Sequence, residues 1–213
     1  LALAIQNKKT FWIGDALNHN CIIRAMRIAN VPRANKGIFR HNDMDHLRSI
    51  LESVPDGIER VIVIFDGVFS MRGDTAPVAE INAVLEPFRG NWSEGLVTVI
   101  DDSHGIGAFG ETGRGTEEVE GAQVDIIVGT FGKAFGVNGG FVAASSEVIE
   151  AVRQKADTYI YTNPLSVADC AAAKTAVDIA DSDDGLARLR NLRARQAQFR
   201  QGLADLGLET IPG

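Results

Sequence analysis

Short runs of β-branched and aromatic residues alternate along the chain with longer segments whose apolar residues recur at helical spacing. This alternation predicts β-α units and a mainly parallel sheet. The predicted strands are Phe11–Gly14, Gly37–His41, Arg60–Phe65, Leu96–Ile100, Val124–Val128 and Gly140–Ala144. The chain is therefore expected to adopt an α/β fold.

Two of the segments between strands carry a clear apolar stripe of helical period. After Asp43 the stripe consists of Met44, Leu47, Ile50, Leu51 and Val54. After a start at Thr75–Pro77 it consists of Val78, Ile81, Val84, Leu85 and Phe88. A stripe of this kind faces the core, so both helices are expected to cover the sheet.

The pattern changes from Pro164 onward. A long helical stretch follows, with an interruption near Asp181–Gly185, and a new strand is expected to start at Leu208–Ile211. We therefore predict two parts, residues 1–163 and residues 164–213. Because the sequence starts at Leu1 without an initiating Met and stops as that strand begins, we expect it to be a piece of a longer protein.

Composition narrows the class of protein. The 213 residues are 45% hydrophobic and 23% charged, which suits a globular domain with a sizeable core. A net charge of −7 argues against a nucleic-acid-binding face. Apolar runs such as Val61–Phe65 are far shorter than the roughly 20 residues that a membrane span needs. Cys21 and Cys170 match no zinc or redox spacing, so they are interpreted as core residues of a cytoplasmic protein.

Polar or glycine-rich clusters follow four of the predicted strands at once, at Asp15–His19, Asp66–Ser70, Asp101–His104 and Thr130–Lys133. In open α/β sheets, ligands bind at the carboxyl ends of the strands, so one site is expected to collect all four clusters. A lysine, two histidines and a carboxylate are the parts that Schiff-base chemistry needs. The lysine supplies a nucleophilic amine, and the carboxylate pairs with a pyridine nitrogen.

Four motifs, in order, give the chain a family resemblance: Asp66-Gly-Val-Phe-Ser-Met-Arg-Gly-Asp74, Asp101-Asp-Ser-His-Gly-Ile-Gly107, Gly110-Glu-Thr-Gly-Arg-Gly115 and Thr130-Phe-Gly-Lys-Ala-Phe-Gly136. Together they resemble the α-oxoamine synthases. That family implies the large domain of a fold-type I transferase, followed here by the start of a smaller α+β domain. It also implies pyridoxal 5'-phosphate (PLP) as cofactor, a homodimer, and condensation of an amino acid with an acyl-CoA.

The resemblance also implies roles for individual residues. Lys133 would form the Schiff base with the cofactor and then remove the α-proton of the substrate. Asp101 would keep the ring nitrogen protonated, so that the ring accepts electrons. His19 would stack on the face of the ring.

Three further cofactor contacts follow from the same resemblance. His104 and Ser70 correspond to groups near the phenolic oxygen, and Thr130 corresponds to a phosphate contact. Ordinary structural roles compete with these assignments, because hydroxyls such as Ser70 and Thr130 are common in turns.

Other polar residues are interpreted as structural. Asp15, Asp66 and Asp102 suit helix or turn capping better than Asp101 does. The remaining histidines, His41 and His46, are expected to be surface or capping residues, and His19 has the same alternative.

Substrate choice rests on small differences. The segments ending in His19 and His104 most resemble glycine C-acetyltransferase, which joins glycine and acetyl-CoA. The segment Asp74–Pro77 is shared with 8-amino-7-oxononanoate synthase. Val137 and Asn138 replace the small Gly or Ser residues common after the lysine in relatives, which leaves the local substrate contacts open.

Three other classes stay open at this point. A fold-type I aminotransferase or lyase would share Lys133 and Asp101 but would not need acyl-CoA. A metal hydrolase would use Asp101, Asp102 and His104 as ligands. A truncated chain that keeps only the fold would be non-catalytic.

Overall fold

A computed structural model describes residues 1–210 of the chain. Within them, one sheet has the strand order β2-β1-β3-β4-β5-β6. Its strands are β1 (Thr10–Asp15), β2 (Lys36–Phe39), β3 (Arg60–Asp66), β4 (Leu96–Asp101), β5 (Ile126–Thr130) and β6 (Gly140–Ala143). Neighbouring strands run parallel except β5 and β6, which are antiparallel. The six strands predicted before Pro164 are all present, and the mainly parallel α/β fold is confirmed.

Helices occupy most of the connections. They are α1 (Ala2–Ile5), α2 (Asn20–Ile28), α3 (Met44–Glu52), α4 (Val78–Leu85), α5 (Thr116–Glu120), α6 (Ser146–Lys155), α7 (Asp157–Tyr161), α8 (Val167–Ala180) and α9 (Asp183–Asp205). Two short 3-10 helices lie at Arg33–Asn35 and Glu86–Phe88. Among residues 1–210, no helix has the length and apolar character to cross a membrane.

Apolar side chains fill a layer on each face of the sheet. Successive strand residues point to opposite faces, so Val61 and Val63 of β3 join one layer and Ile62 joins the other. The first layer includes Leu47 of α3 and Ile81 of α4, which confirms that both predicted stripes cover the sheet. Burial on both faces explains why the strands are continuous apolar runs rather than alternating ones.

The helical stretch after Pro164 is interrupted where the sequence predicted it. Helix α8 ends at Ala180, and α9 begins after Ser182, whose hydroxyl accepts a hydrogen bond from Gly185 N at 3.3 Å. Both helices are largely exposed. Residues 208–210 have no regular secondary structure, and the rest of the strand predicted at Leu208–Ile211 lies outside the described residues. The division at residues 163 and 164 stays a prediction.

The order of the strands marks a place for a ligand. Strand β1 pairs with β2 on one side and with β3 on the other, so the chain proceeds from β1 in opposite directions across the sheet. Open α/β sheets bind ligands at the carboxyl ends of the strands, beside such a reversal.

Candidate active site

A cavity of about 180 Å³ opens at the carboxyl ends of β1, β3, β4 and β5. It is lined by His19, Cys21, Asp66, Val68, Ser70, Asp101, Ser103, His104, Thr130 and Lys133. The structure therefore brings together all of the residues that the sequence singled out as a cofactor site. Asp66, Val68 and Ser103 also line it; they belong to the predicted clusters but were given no role toward a ligand. Cys21 is the lining residue outside those clusters.

Two carboxylates lie side by side in the cavity. Asp66 and Asp101 end adjacent strands and are partners in the β3-β4 register. The Asp66 carboxylate also accepts a hydrogen bond from His19 N at 2.8 Å, so it holds the β1-α2 turn as expected of a capping residue. Burial, together with the charge of Asp101, raises the pKa of Asp66 to about 7. Near neutral pH, Asp66 is therefore protonated in part of the molecules, which limits the negative charge in the cavity.

The neighbouring Asp102 carboxylate does not line the cavity. It is 2% exposed and accepts hydrogen bonds from Thr116 N at 2.8 Å and from Thr116 Oγ1 at 2.6 Å. Burial raises the pKa of Asp102 to about 6. Its role is structural, as predicted. A metal site made of Asp101, Asp102 and His104 does not form, and residues 1–210 contain no cluster of His, Cys, Asp and Glu that suits a metal ion.

Lys133 places an amine at the edge of the cavity. It lies in the turn between β5 and β6 and is exposed. Within the described residues, no carboxylate is close enough to form a salt bridge with it. Burial and the positive charge of Lys133 lower the pKa of His104, so the His104 imidazole is neutral at physiological pH. The Lys133 side chain therefore lies at the cavity without a carboxylate partner among the described residues.

Two of the predicted cofactor contacts also have local structural duties. His19 caps α2, because its Nδ1 accepts a hydrogen bond from Cys21 N at 3.3 Å. Thr130 Oγ1 donates to Gly139 O at 3.0 Å and accepts from Gly132 N at 3.1 Å. To donate to a phosphate, the Thr130 hydroxyl would have to give up its bond to Gly139.

The prediction that both cysteines are core residues is wrong. Cys21 and Cys170 are exposed, because they lie on helix positions that do not face the apolar layers. On α2 the neighbouring Ile22 takes the buried position instead. Cys21 lines the cavity, where its Sγ lies 3.4 Å from Asp101 Oδ2. No spacing rule in the sequence indicates this contact, because Cys21 and Asp101 are far apart along the chain.

The expectation that His41 is a surface or capping residue is also wrong. Its Nδ1 lies 2.9 Å from Asp15 Oδ1, and its Nε2 lies 3.0 Å from Asp74 Oδ2. The imidazole therefore links the last residue of β1 to the loop after β3. His19 lies four residues beyond Asp15, and Ser70 lies in the loop after β3. His46 does behave as expected, since its Nδ1 accepts a hydrogen bond from Arg40 N at 2.9 Å next to the start of α3.

Comparison with known proteins agrees with the geometry. The family described as aminotransferase class I and II matches residues 1–213. The 8-amino-7-oxononanoate synthase of Geobacter metallireducens is 39% identical over 98% of this chain and 51% of that protein. The enzyme of the same name from Alkalilimnicola ehrlichii is 41% identical over 93% of this chain and 48% of that protein. The chain thus spans about half the length of these curated relatives.

Solved structures give the same result. Serine palmitoyltransferase from S. paucimobilis superposes with a TM-score of 0.86 at 30% identity, over 98% of this chain and 51% of that chain. The relatives named here are α-oxoamine synthases, as the four motifs suggested. None of them is a glycine C-acetyltransferase, the member that the motifs most resembled. Because the family match covers the whole sequence, this chain belongs to the aminotransferase class I and II family.

Proposed function

We propose that this chain forms the cofactor site of a PLP-dependent C-acyltransferase that joins an amino acid to an acyl-CoA, giving an α-amino ketone. One observation carries the proposal: a single cavity holds the Lys133 amine, the Asp101 carboxylate and the His19 imidazole. This set of groups fits PLP, which needs a primary amine for its aldehyde, an acid partner for its ring nitrogen and a flat surface for its ring.

Each group has a task that its chemistry supports. Lys133 would hold PLP covalently through Nζ. Once released, the same nitrogen would take the α-proton from the amino acid. Asp101 would hold a proton on the ring nitrogen through a charge-assisted hydrogen bond. His19 would orient the ring by stacking. When bound, PLP supplies an electron-accepting ring that stabilises negative charge on the α-carbon.

The remaining predicted contacts would act at the edges of the cofactor. His104 and Ser70 would approach the phenolic oxygen. The neutral state of His104 lets it donate one hydrogen bond without adding positive charge beside Lys133. Thr130 would contact the phosphate after its hydroxyl turns away from Gly139.

The substrates are proposed only by class. Glycine and acetyl-CoA follow from the segments ending in His19 and His104. The relatives instead are 8-amino-7-oxononanoate synthases and a serine palmitoyltransferase, which favours a longer acyl group. CoA release from a panel of amino acids and acyl-CoAs of increasing length would distinguish these choices. An aminotransferase or lyase would turn over the amino acid without any CoA ester.

We also propose a homodimer. Leu17, two residues before His19, is 44% exposed, and Met71, next to Ser70, is 94% exposed. A second copy that covered these apolar side chains would also shield the cavity from water. Light scattering of the purified protein would measure the mass of the assembly, and a monomer at micromolar concentration would contradict this proposal.

The cofactor assignment is tested by chemical trapping. The protein is mixed with PLP and reduced with borohydride, and the labelled peptide is identified by mass spectrometry. The label is expected on Lys133, and Lys133→Ala should abolish it. Lys155 and Lys174 serve as controls, because both are exposed lysines outside the cavity. Label on either of these, with none on Lys133, would refute the assignment.

A further inference from the structure

The Asp101 carboxylate is contacted on both of its oxygens. Oδ1 accepts a hydrogen bond from Ser103 N at 3.1 Å, and Oδ2 lies 3.4 Å from the Sγ of Cys21. Cys21 belongs to the first turn of α2, whereas Asp101 ends β4. The thiol therefore ties the carboxylate to a different element of the cavity lining.

The thiol is the donor in this contact. Cys21 is exposed as a residue, but its thiol is partly shielded from water by the cavity. This desolvation, followed by the charge of Asp101, raises the pKa of Cys21 to about 11, so the sulfur keeps its proton at physiological pH. A cysteine at the start of a helix is often a reactive thiolate, because the helix end and nearby cations lower its pKa. Here the shift is in the opposite direction. A role as nucleophile is therefore disfavoured, and a role as hydrogen-bond donor is favoured.

Hydrogen bonds of the turn before α2 fix the position of Cys21. Its backbone N–H donates to His19 Nδ1, and His19 N donates to Asp66 Oδ2. These bonds hold the turn between β1 and α2 against the end of β3. Because the backbone of this turn is held in place, the Cys21 thiol has a defined position. Its hydrogen bond therefore restricts the rotation of the Asp101 carboxylate.

We propose that Cys21 is a positioning residue that donates its S–H to Asp101 Oδ2 and so aligns this carboxylate with the ring nitrogen of PLP. The proposal rests on the function proposed above. A carboxylate with one fixed orientation loses less conformational freedom on binding the cofactor, and such preorganisation favours binding.

The first test compares Cys21→Ala and Cys21→Ser with Cys170→Ala, which changes the other cysteine on the exposed helix α8. PLP affinity is measured by absorbance titration. Cys21→Ala should weaken PLP binding about threefold to tenfold, as expected for one hydrogen bond. Cys21→Ser should restore most of the affinity, because its hydroxyl can donate in place of the thiol. Cys170→Ala should bind like the wild type.

The outcomes separate the two proposals. If the wild type binds no PLP, both the proposed function and the role of Cys21 fall. If the wild type binds PLP and Cys21→Ala binds it equally well, only the role of Cys21 falls. Equal weakening by Ala and Ser would also overturn that role, because it would show that sulfur packing matters and the donor does not.

A second measurement needs no cofactor and tests the contact itself. Iodoacetamide alkylation is followed at Cys21 and Cys170 by mass spectrometry. Because only the thiolate reacts, Asp101→Asn should accelerate alkylation of Cys21 at least about threefold relative to Cys170. An unchanged ratio would overturn the proposal, even if Cys21→Ala failed to fold.

Discussion

The buried carboxylate of Asp102 should make the stability of the protein depend on pH. The ionised form is disfavoured in the fold, because burial raises the pKa of Asp102 from 3.8 to about 6. Because the pKa is raised in the fold, Asp102 adds to the unfolding free energy in its neutral form. This stabilising contribution is fully present below pH 3.8 and is lost as the pH rises through about 6. Integrated from pH 4.5 to 7.5, the loss amounts to about 2 kcal/mol of unfolding free energy.

Asp102→Asn removes the charge and keeps the hydrogen bonds. The Asn side-chain oxygen can accept from Thr116 N, and its amide can donate to Thr116 Oγ1, the two atoms that Asp102 contacts now. The unfolding free energy of the wild type should fall by about 2 kcal/mol between pH 4.5 and 7.5 because of Asp102, whereas the Asn variant should lack this fall. Measured relative to the wild type, the unfolding free energy of the Asn variant should therefore rise by about 2 kcal/mol over this pH range. Asp102→Ala leaves the buried Thr116 groups without their partner, so it should cost about 2–4 kcal/mol.

Urea unfolding at the two pH values measures both effects. Asp181→Asn is the matched control, because that carboxylate is exposed and paired with Arg114, and such pairs contribute less than about 1 kcal/mol. If Asp102→Asn shows the same pH dependence as the wild type, Asp102 does not have the raised pKa that its burial implies. An Asp102→Ala variant as stable as the wild type would contradict the structural role.

Two other predictions concern the carboxylate that faces the cofactor and the histidine that joins the loops. Asp101→Asn should lower turnover by a factor on the order of 10²–10³, as when one preorganised electrostatic contact is lost. Steady-state kinetics would measure this loss, with Asp102→Asn for comparison. Equal loss of activity in the two variants would refute the prediction. Burial opposes protonation of His41, but hydrogen bonds to Asp15 and Asp74 raise its pKa above the usual value. The contribution of protonated His41 to the unfolding free energy is therefore present below about pH 6.5 and is lost as the pH rises through the pKa of His41 in the folded protein. In urea unfolding, His41→Gln should therefore be more destabilising at about pH 6 than at about pH 8. Equal destabilisation at both pH values would show that the charge on His41 is not what holds the loops.

Much of the site was predictable because parallel strands bring their carboxyl ends to one edge of the sheet. Once the strands were assigned, clusters at His19, Ser70, Asp101 and Lys133 had to lie near one another. The rest was not predictable. Whether Asp101 or Asp102 faces the cavity depends on where β4 ends, since one residue of shift turns a side chain to the other face. The family motif, rather than the strand pattern, indicated Asp101.

Contacts between distant segments were decided only by the tertiary structure. Nothing near His41 in the sequence indicates that it bridges Asp15 and Asp74. The same holds for Cys21. It was assigned to the core because the two cysteines match no zinc or redox spacing, but its place on α2 brings its thiol to Asp101. Such contacts depend on the distances between loops, and the sequence does not encode these locally.

The glycine-rich segment after Asp101 illustrates both sources of information. Glycine permits left-handed backbone, and Gly107 has a φ of 84°. Gly105 is required for another reason: a β-carbon there would lie 2.1 Å from Asp102 Oδ1. The sequence by itself determined the α/β class, the order of the strands along the chain and the residues gathered at the sheet edge, because periodicity and turn chemistry are local. The tertiary structure alone decided which carboxylate is buried, which one meets a thiol and which glycine makes room, because these depend on packing between segments far apart in the chain.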